Sequence, residues 1–308
     1  MSTKIPERIS LGLSDLRISP LGMGTNSWGF SRRADPEKRP TLEAALEAGI
    51  NFIDTAEIYN LGGSERTLGL LLQKSRTEVV LATKFFPFLW RLTRSSLTAA
   101  LRLSLKRLGV PTVDLYILHF PAPPLPLETW VEALADVHRA GLTRAIGISN
   151  CNPAQMRRAH AVLAGRGIPL ASNQVEYSLL KRTAERSGLL AACRELGVTL
   201  VAYRPLGYGL LTGKYTLENL PSNLHGRIVK RANLQRVSPL LELLGALARS
   251  HGKTPSQVAL NWIVCKGAVP IPGAKNPSQA AENAGALGWR LDAAEVEALD
   301  QASEPLSY

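Results

Sequence analysis

Residues 51–59 read Asn51-Phe52-Ile53-Asp54-Thr55-Ala56-Glu57-Ile58-Tyr59. The stretch opens as a short apolar strand, Phe52-Ile53, and sets a carboxylate, Asp54, at its end; five residues further stands a phenol, Tyr59. Two later segments repeat the pattern with other chemistry. Residues 79–84 (VVLATK) end an apolar run in the ammonium of Lys84, and residues 113–119 (VDLYILH) end one in the imidazole of His119. Parallel strands buried on both faces are near-continuous apolar runs, and a polar residue at the C-terminal end of such a strand reads as site rather than core. Asp54, Tyr59, Lys84 and His119 thus make a set able to handle a proton.

Working outward, strands alternate with helical patterns along the whole chain. Before Asn51, residues 36–48 carry Leu42, Ala45 and Leu46 at helical spacing and stop at Gly49. Runs at 20–24, 144–149, 171–175, 199–203 and 268–271 bring the strands to eight. The remaining helical patterns lie at 64–73, 95–108, 128–140, 153–164, 189–196, 239–251, 255–265, 277–287 and 292–302. Residues 9–11 and 16–18, flanking Gly12 to Asp15, predict a hairpin ahead of the first strand. No composition break or linker interrupts the series. The prediction is an α/β protein, one (β/α)8 TIM barrel over residues 1–308 with an N-terminal β-hairpin and two extra helices. A doubly wound sheet is the competitor, disfavoured because the first strand-to-helix turn lacks GxGxxG. Residues 207–237, rich in Gly, Pro and basic side chains, are predicted to be a mobile loop.

Composition narrows the function classes. The chain has 308 residues, is 45% hydrophobic and carries a formal charge of +11. Its arginines are scattered through helical stretches without a dense basic tract, which argues for solvated helix faces over a nucleic-acid footprint. Cys151, Cys193 and Cys265 have no metal-ligand or disulfide spacing, so no metal is expected. No run approaches membrane-spanning length and the first residues lack an apolar signal core, so the expected compartment is the cytoplasm, with no membrane partner.

Taken singly, an Asp after a strand, a Lys at a strand end, a core Tyr and a buried His each have an ordinary structural explanation. Their recurrence at successive strand tops points to chemistry. A free phenol titrates near ~10, and an adjacent ammonium such as Lys84 is expected to lower that value. Asp54 can keep the ammonium charged, and His119 can hydrogen-bond the same oxygen. Such a group suits carbonyl reduction, in which negative charge grows on oxygen as hydride arrives at carbon.

The motifs NFIDTAEIYNLGGSE, VVLATK, VDLYILH, RAIGISN, SNQVEYSLL, VAYRPLGYGLLTGKY and IPGAKNPSQAAEN together resemble the aldo-keto reductase superfamily, over about residues 9–299. Their wording is similar to the branch that contains pyridoxal reductases. The resemblance implies an NADPH-dependent reductase of an aldehyde, ketone or imine, with Tyr59 as general acid, Lys84 and Asp54 as its tuning pair and His119 as a donor to the substrate oxygen. It implies that Ser149, Asn150 and Gln174 grip the nicotinamide carboxamide, that Tyr203 stacks on the ring, and that Gly24 and Thr25 lie beside it. Leu206, Gly209, Leu211 and Lys214 fall on what resembles the family's phosphate-covering loop. Gly273, Lys275, Gln279, Glu282 and Asn283 fall on what resembles the adenosine-phosphate site. Here the chain departs from the usual pattern: Gly273 and Ala274 replace Lys and Ser, and Gln279 replaces Arg. NADP(H) is favoured, with NAD(H) the less favoured alternative. Arg204 stands where Ser is usual and either faces the cofactor pyrophosphate or the substrate mouth or pairs with a loop carboxylate. Trp28, Phe86, Trp90 and Phe120 are the expected substrate-pocket aromatics. The resemblance also admits a cofactor-sensing regulatory subunit, similar to potassium-channel β subunits. The natural substrate and the oligomeric state are not legible.

Overall fold

A computed structural model describes residues 7–73, 76, 79–215 and 231–306. An antiparallel hairpin, β1 (Ile9–Ser10) and β2 (Arg17–Ile18), precedes the main sheet. That sheet runs in strict chain order through β3 (Met23–Gly24), β4 (Phe52–Asp54), β5 (Val80–Phe85), β6 (Val113–Leu118), β7 (Thr143–Ser149), β8 (Leu170–Glu176), β9 (Thr199–Tyr203) and β10 (Val269–Pro270), every neighbouring pair parallel. The Gly22 N–H donates to Pro270 O at 2.9 Å and the Gly24 N–H to Pro272 O at 3.0 Å. The last strand therefore returns to the first, and the expected barrel closes.

The helices are α1 (Arg39–Glu47), α2 (Gly63–Leu71), α3 (Ser95–Leu108), α4 (Leu127–Arg139), α5 (Pro153–Ala164), α6 (Thr183–Arg186), α7 (Leu189–Glu195), α8 (Arg231–Ser250), α9 (Pro255–Cys265), α10 (Pro277–Ala284) and α11 (Ala293–Ser303). Several of their starts are written in the chain. Asn152-Pro153, Thr254-Pro255 and Asn276-Pro277 each put a capping oxygen before a proline whose missing N–H costs nothing at the first helical position. Asn152 and Thr254 complete capping boxes with Gln155 and Gln257.

Two boundaries differ from expectation. Residues 36–38 form a separate 3-10 turn before α1 rather than its first turn. The predicted mobile loop is partly ordered: residues 207–212 form a 3-10 turn and α8 already begins at Arg231, while residues 216–230 lie outside the described residues. Helix α8 runs through Pro239, where the expected helix began. Buried Leu234, Val237, Leu240, Leu244 and Ala248 carry one apolar stripe across the proline, and that packing outweighs the lost backbone bond. The four-residue α6 had no signal in the sequence.

The core has two compartments. The larger lies between strands and helices and holds Ile53, Leu81, Phe85, Tyr116 and Leu118 with apolar residues of the surrounding helices. The smaller fills the barrel with Phe52, Val80, Ala82, Leu115, Ile117, Ala145 and Val201, and Leu11, Leu16 and Ile18 of the hairpin close it from below. Gly12 is indispensable to this plug. It has φ +56°, its N–H donates to Thr199 Oγ1 at 2.7 Å, and a Cβ there would lie 2.5 Å from Ala171 O.

Candidate active site

Period-two alternation does the positioning. Side chains of β4 and β5 point into the barrel at Phe52, Val80 and Ala82, so the next inward positions, above the apolar layer, belong to Asp54 and Lys84. Equivalent steps raise Ser149 on β7, Gln174 on β8 and Tyr203 on β9, with Ser149 and Gln174 paired in register. The same periodicity that makes these strands buried makes their tops polar.

Lys84 is fully buried. Its Nζ donates to Asp54 Oδ1 at 2.5 Å, to Thr55 O at 2.8 Å and to Tyr59 OH at 3.3 Å. The other oxygen of Asp54 accepts from Gln174 Nε2 at 2.9 Å. Tyr59 reaches this cluster through a left-handed kink, Asn60 at φ 50° and Leu61 at φ 55°. Asn60 tolerates that conformation, and its Nδ2 ties it down by donating to Trp28 O at 2.9 Å. Ser64 knits the neighbouring turns together through Thr25 and Thr55 at 2.8 Å each.

Burial by itself lowers the pKa of Lys84, but the Asp54 charge, with lesser help from Tyr59, more than compensates and holds the ammonium more firmly than in free lysine. The expected lowering of the Tyr59 phenol is corrected. Burial raises it above the ordinary tyrosine value, outweighing the pull of Lys84. The reason is visible in the distances: the ammonium is spent mainly on Asp54 and Thr55 and sits 3.3 Å from the phenol. Tyr59 is thus a protonated phenol, which is the form a proton donor requires.

His119 is 8% exposed, and its Nδ1 has no hydrogen-bond partner among the described residues. Burial first, and the Lys84 charge second, push its pKa down to about 3. The imidazole is therefore neutral where it lines the cavity. A stability consequence follows. The unfolded chain takes up a proton on this residue below its ordinary 6.5, whereas the folded chain does so only near 3. The contribution of neutral His119 is whole above pH 6.5 and is lost as pH falls from there toward 3. In urea denaturation across that window, wild type will lose stability faster than His119→Asn; parallel curves would contradict the buried, neutral imidazole.

Asp54, Tyr59, His119 and Gln174 line a cavity of about 300 Å³ together with Gly24, Thr25, Asn26, Phe120, Ser149, Asn150, Tyr203 and Arg204, and Lys84 lies beneath them. Asn150, at φ 59°, donates from Nδ2 to His119 O and to Ser149 Oγ, both at 3.0 Å, and accepts from Tyr203 OH at 2.9 Å. Asn26, Arg204, Pro205 and Gly273 also line a second chamber of about 580 Å³, so the two form one cleft. The second chamber holds Leu206, Gly209, Lys214, Lys275, Gln279, Glu282 and Asn283, bringing together the two distant segments singled out in the sequence. Residues 20–304 match the Aldo/keto reductase family. The chain belongs to that family.

It is 40% identical to the chloroplastic pyridoxal reductase of Arabidopsis thaliana over 305 residues, covering 92% of this chain and 82% of the relative. Glycerol dehydrogenase from Gluconobacter oxydans superposes with a TM-score of 0.88 at 28% identity, covering 98% of this chain and 95% of the other. An aldo-keto reductase from Klebsiella pneumoniae in complex with NADPH superposes with a TM-score of 0.78 at 26% identity, covering 99% and 97%.

In this aldo/keto reductase the expected substrate aromatics separate. Phe120 lines the first chamber, stacked on His119 with centroids 5.3 Å apart. Trp28 is not a pocket wall. It is 0% exposed in the core, with Nε1 donating to Ala274 O, because the loop after β3 folds down onto α2. Trp90 is 71% exposed and stacked on Phe88, and it lines neither chamber. Phe86 lies behind His119 rather than on the cavity wall. Leu211 is buried in the core, so its side chain is structural. Arg204 lines both chambers, lies 3.8 Å from Glu176 at the end of β8 and sits 4.4 Å over the Tyr208 ring. Asn26, Ser27, Pro205, Tyr215 and Ser256 line the reductase cleft without having been singled out in the sequence. Asn26 follows Gly24-Thr25 at a strand top and was legible from that position; Ser256, inside the first turn of α9, carried no signal.

Proposed function

We propose that this protein is an NADPH-dependent reductase of small aldehydes, ketones or imines, with Tyr59 as the proton donor. The observation that carries the reading is the fully buried Lys84 ammonium, bonded to Asp54 and to the Tyr59 phenol at the floor of an open 300 Å³ chamber. A structural ion pair has no need of a phenol facing empty space.

The cleft fits a pyridine dinucleotide. At one end Gln174 keeps an acceptor, its Oε1, while its Nε2 serves Asp54, and Ser149 and Asn150 stand beside it. These are the mixed donors and acceptors a carboxamide needs, and the Tyr203 ring offers a flat surface next to them. At the other end Arg204, Lys214 and Lys275 supply cations for phosphates. Glu282 on that wall accepts from Thr254 Oγ1 at 3.0 Å. Lys275 precedes α10, whose N-terminus favours negative charge, and supports the phosphorylated coenzyme in spite of Gln279. When bound, the dinucleotide supplies the hydride.

The protein's own residues supply the rest. Tyr59 gives its hydroxyl proton to the substrate oxygen as charge grows there. Lys84 stabilises the phenolate left behind, and Asp54 keeps Lys84 charged and aimed. Neutral His119 donates a hydrogen bond to the same oxygen. Phe120 offers an apolar face to the rest of the substrate, and the relative named pyridoxal reductase makes pyridoxal, a flat aromatic aldehyde, the first compound to try. The test is NADPH oxidation under multiple turnover with pyridoxal and simple aromatic aldehydes, repeated with NADH. Many equivalents oxidised, faster with NADPH, are expected. Oxidation ending at one equivalent would replace this reading with that of a cofactor sensor.

A further inference from the structure

The orientation of a catalytic imidazole is ordinarily set by a hydrogen bond to its second ring nitrogen. Among the described residues His119 has none: its Nδ1 is buried and unpartnered there. What surrounds the ring is aromatic. Phe86 meets it at 82° with centroids 5.8 Å apart, Tyr59 at 81° and 6.0 Å, and Phe120 lies nearly parallel at 20° and 5.3 Å. Packing therefore holds the imidazole.

Phe86 is itself held to an unusual degree for a loop residue. Its N–H donates to Glu57 Oε1 at 2.7 Å and its carbonyl accepts from Arg91 Nη1 at 2.7 Å. Glu57 and Arg91 are bonded to each other through two contacts, 2.5 and 2.9 Å, with both side chains largely buried. The guanidinium is sandwiched by rings as well, 4.6 Å from the Phe85 centroid and 5.1 Å from that of Phe88. One ion pair thus clamps both backbone groups of the residue whose ring edge abuts His119. Glu57 belongs to the stretch that also carries Asp54 and Tyr59, so the clamp and the proton donor share one piece of chain.

We infer that Glu57 and Arg91 are positioning residues: acting through Phe86, they hold the His119 imidazole with one nitrogen toward the cavity. Neither touches the cavity itself, since neither lines either chamber. The inference rests on the proposed carbonyl reduction for its kinetic arm and on geometry alone for its spectroscopic arm.

Arg91→Ala removes the clamp, and Phe86→Leu removes the ring edge while leaving both backbone bonds in place. Histidine nitrogens are labelled, and the His119 signals are assigned by their loss in His119→Asn. Wild type should show one sharp pair of ring-nitrogen signals, the mark of a single ring orientation. Both variants should show an exchange-averaged pair, together with a fall in kcat of about ten- to a hundredfold, the size a small misplacement of a reacting group produces. The KM for NADPH should not move. A His119 signal in folded Phe86→Leu identical to wild type would overturn the inference. So would an unchanged kcat with an averaged signal. If no carbonyl compound is turned over by wild type, the reductase reading fails while the spectra still decide the positioning.

Discussion

Tyr59→Phe is expected to reduce turnover of any carbonyl substrate by about a hundred- to ten-thousandfold, the range contributed by a general acid. The fold should barely notice. Among the described residues the phenol oxygen makes one hydrogen bond, a long one of 3.3 Å, to an ammonium already bonded to Asp54 and Thr55. Cofactor affinity should be close to wild type, because Tyr59 lines the first chamber and the phosphate end of the cleft is built from other segments. Steady-state kinetics beside a fluorescence titration with NADPH separates the two quantities. Equal turnover in the variant would remove Tyr59 from the mechanism. A parallel loss of cofactor binding would show that the residue serves binding instead of proton transfer.

Lys84→Met will damage both activity and stability, and for different reasons. Activity will fall at least about a hundredfold, because the phenolate of Tyr59 loses the cation that stabilises it. Stability will fall by about 3–5 kcal/mol, the cost of leaving a buried charge without its partner. Asp54 is 1% exposed, and without Lys84 its remaining side-chain bond is the one from Gln174. Methionine is close to lysine in length, so a cavity is not the cause. The discriminating measurement is a second substitution, Asp54→Asn, in the Lys84→Met background. It should recover most of the lost stability in chemical denaturation, since no charge is then buried, and recover none of the activity. A double variant as unstable as the single one would mean that packing around the lysine stem, and not the carboxylate, sets the penalty.

The barrel was legible because burial and alternation write themselves into composition. VVLATK and VDLYILH are apolar until the residue at the top, and helix starts such as Asn152-Pro153 and Thr254-Pro255 state their caps outright. The residues at the strand tops were legible for the same reason, since a Lys or an Asp at the end of a buried run has no place in an apolar layer. The loop aromatics were not legible. Trp28, Phe86, Trp90 and Phe120 look alike in a sequence, yet one is core, one braces a histidine, one is exposed and one lines the cavity. Loop direction, which no periodicity encodes, decides among them. Helix α8 across Pro239 was hidden too, because an apolar stripe packed against its neighbours overrides a local helix breaker.

By itself, then, the order of residues determined the eight-unit repeat, the polar ring above its apolar filling and the chemical types available there. Tertiary structure alone decided the protonation of that ring. The Tyr59 phenol lies above its ordinary value and the His119 imidazole far below its own because both are desolvated beside an ammonium committed to Asp54. Desolvation depends on what packs around a group from distant parts of the chain, and no neighbour in sequence records it.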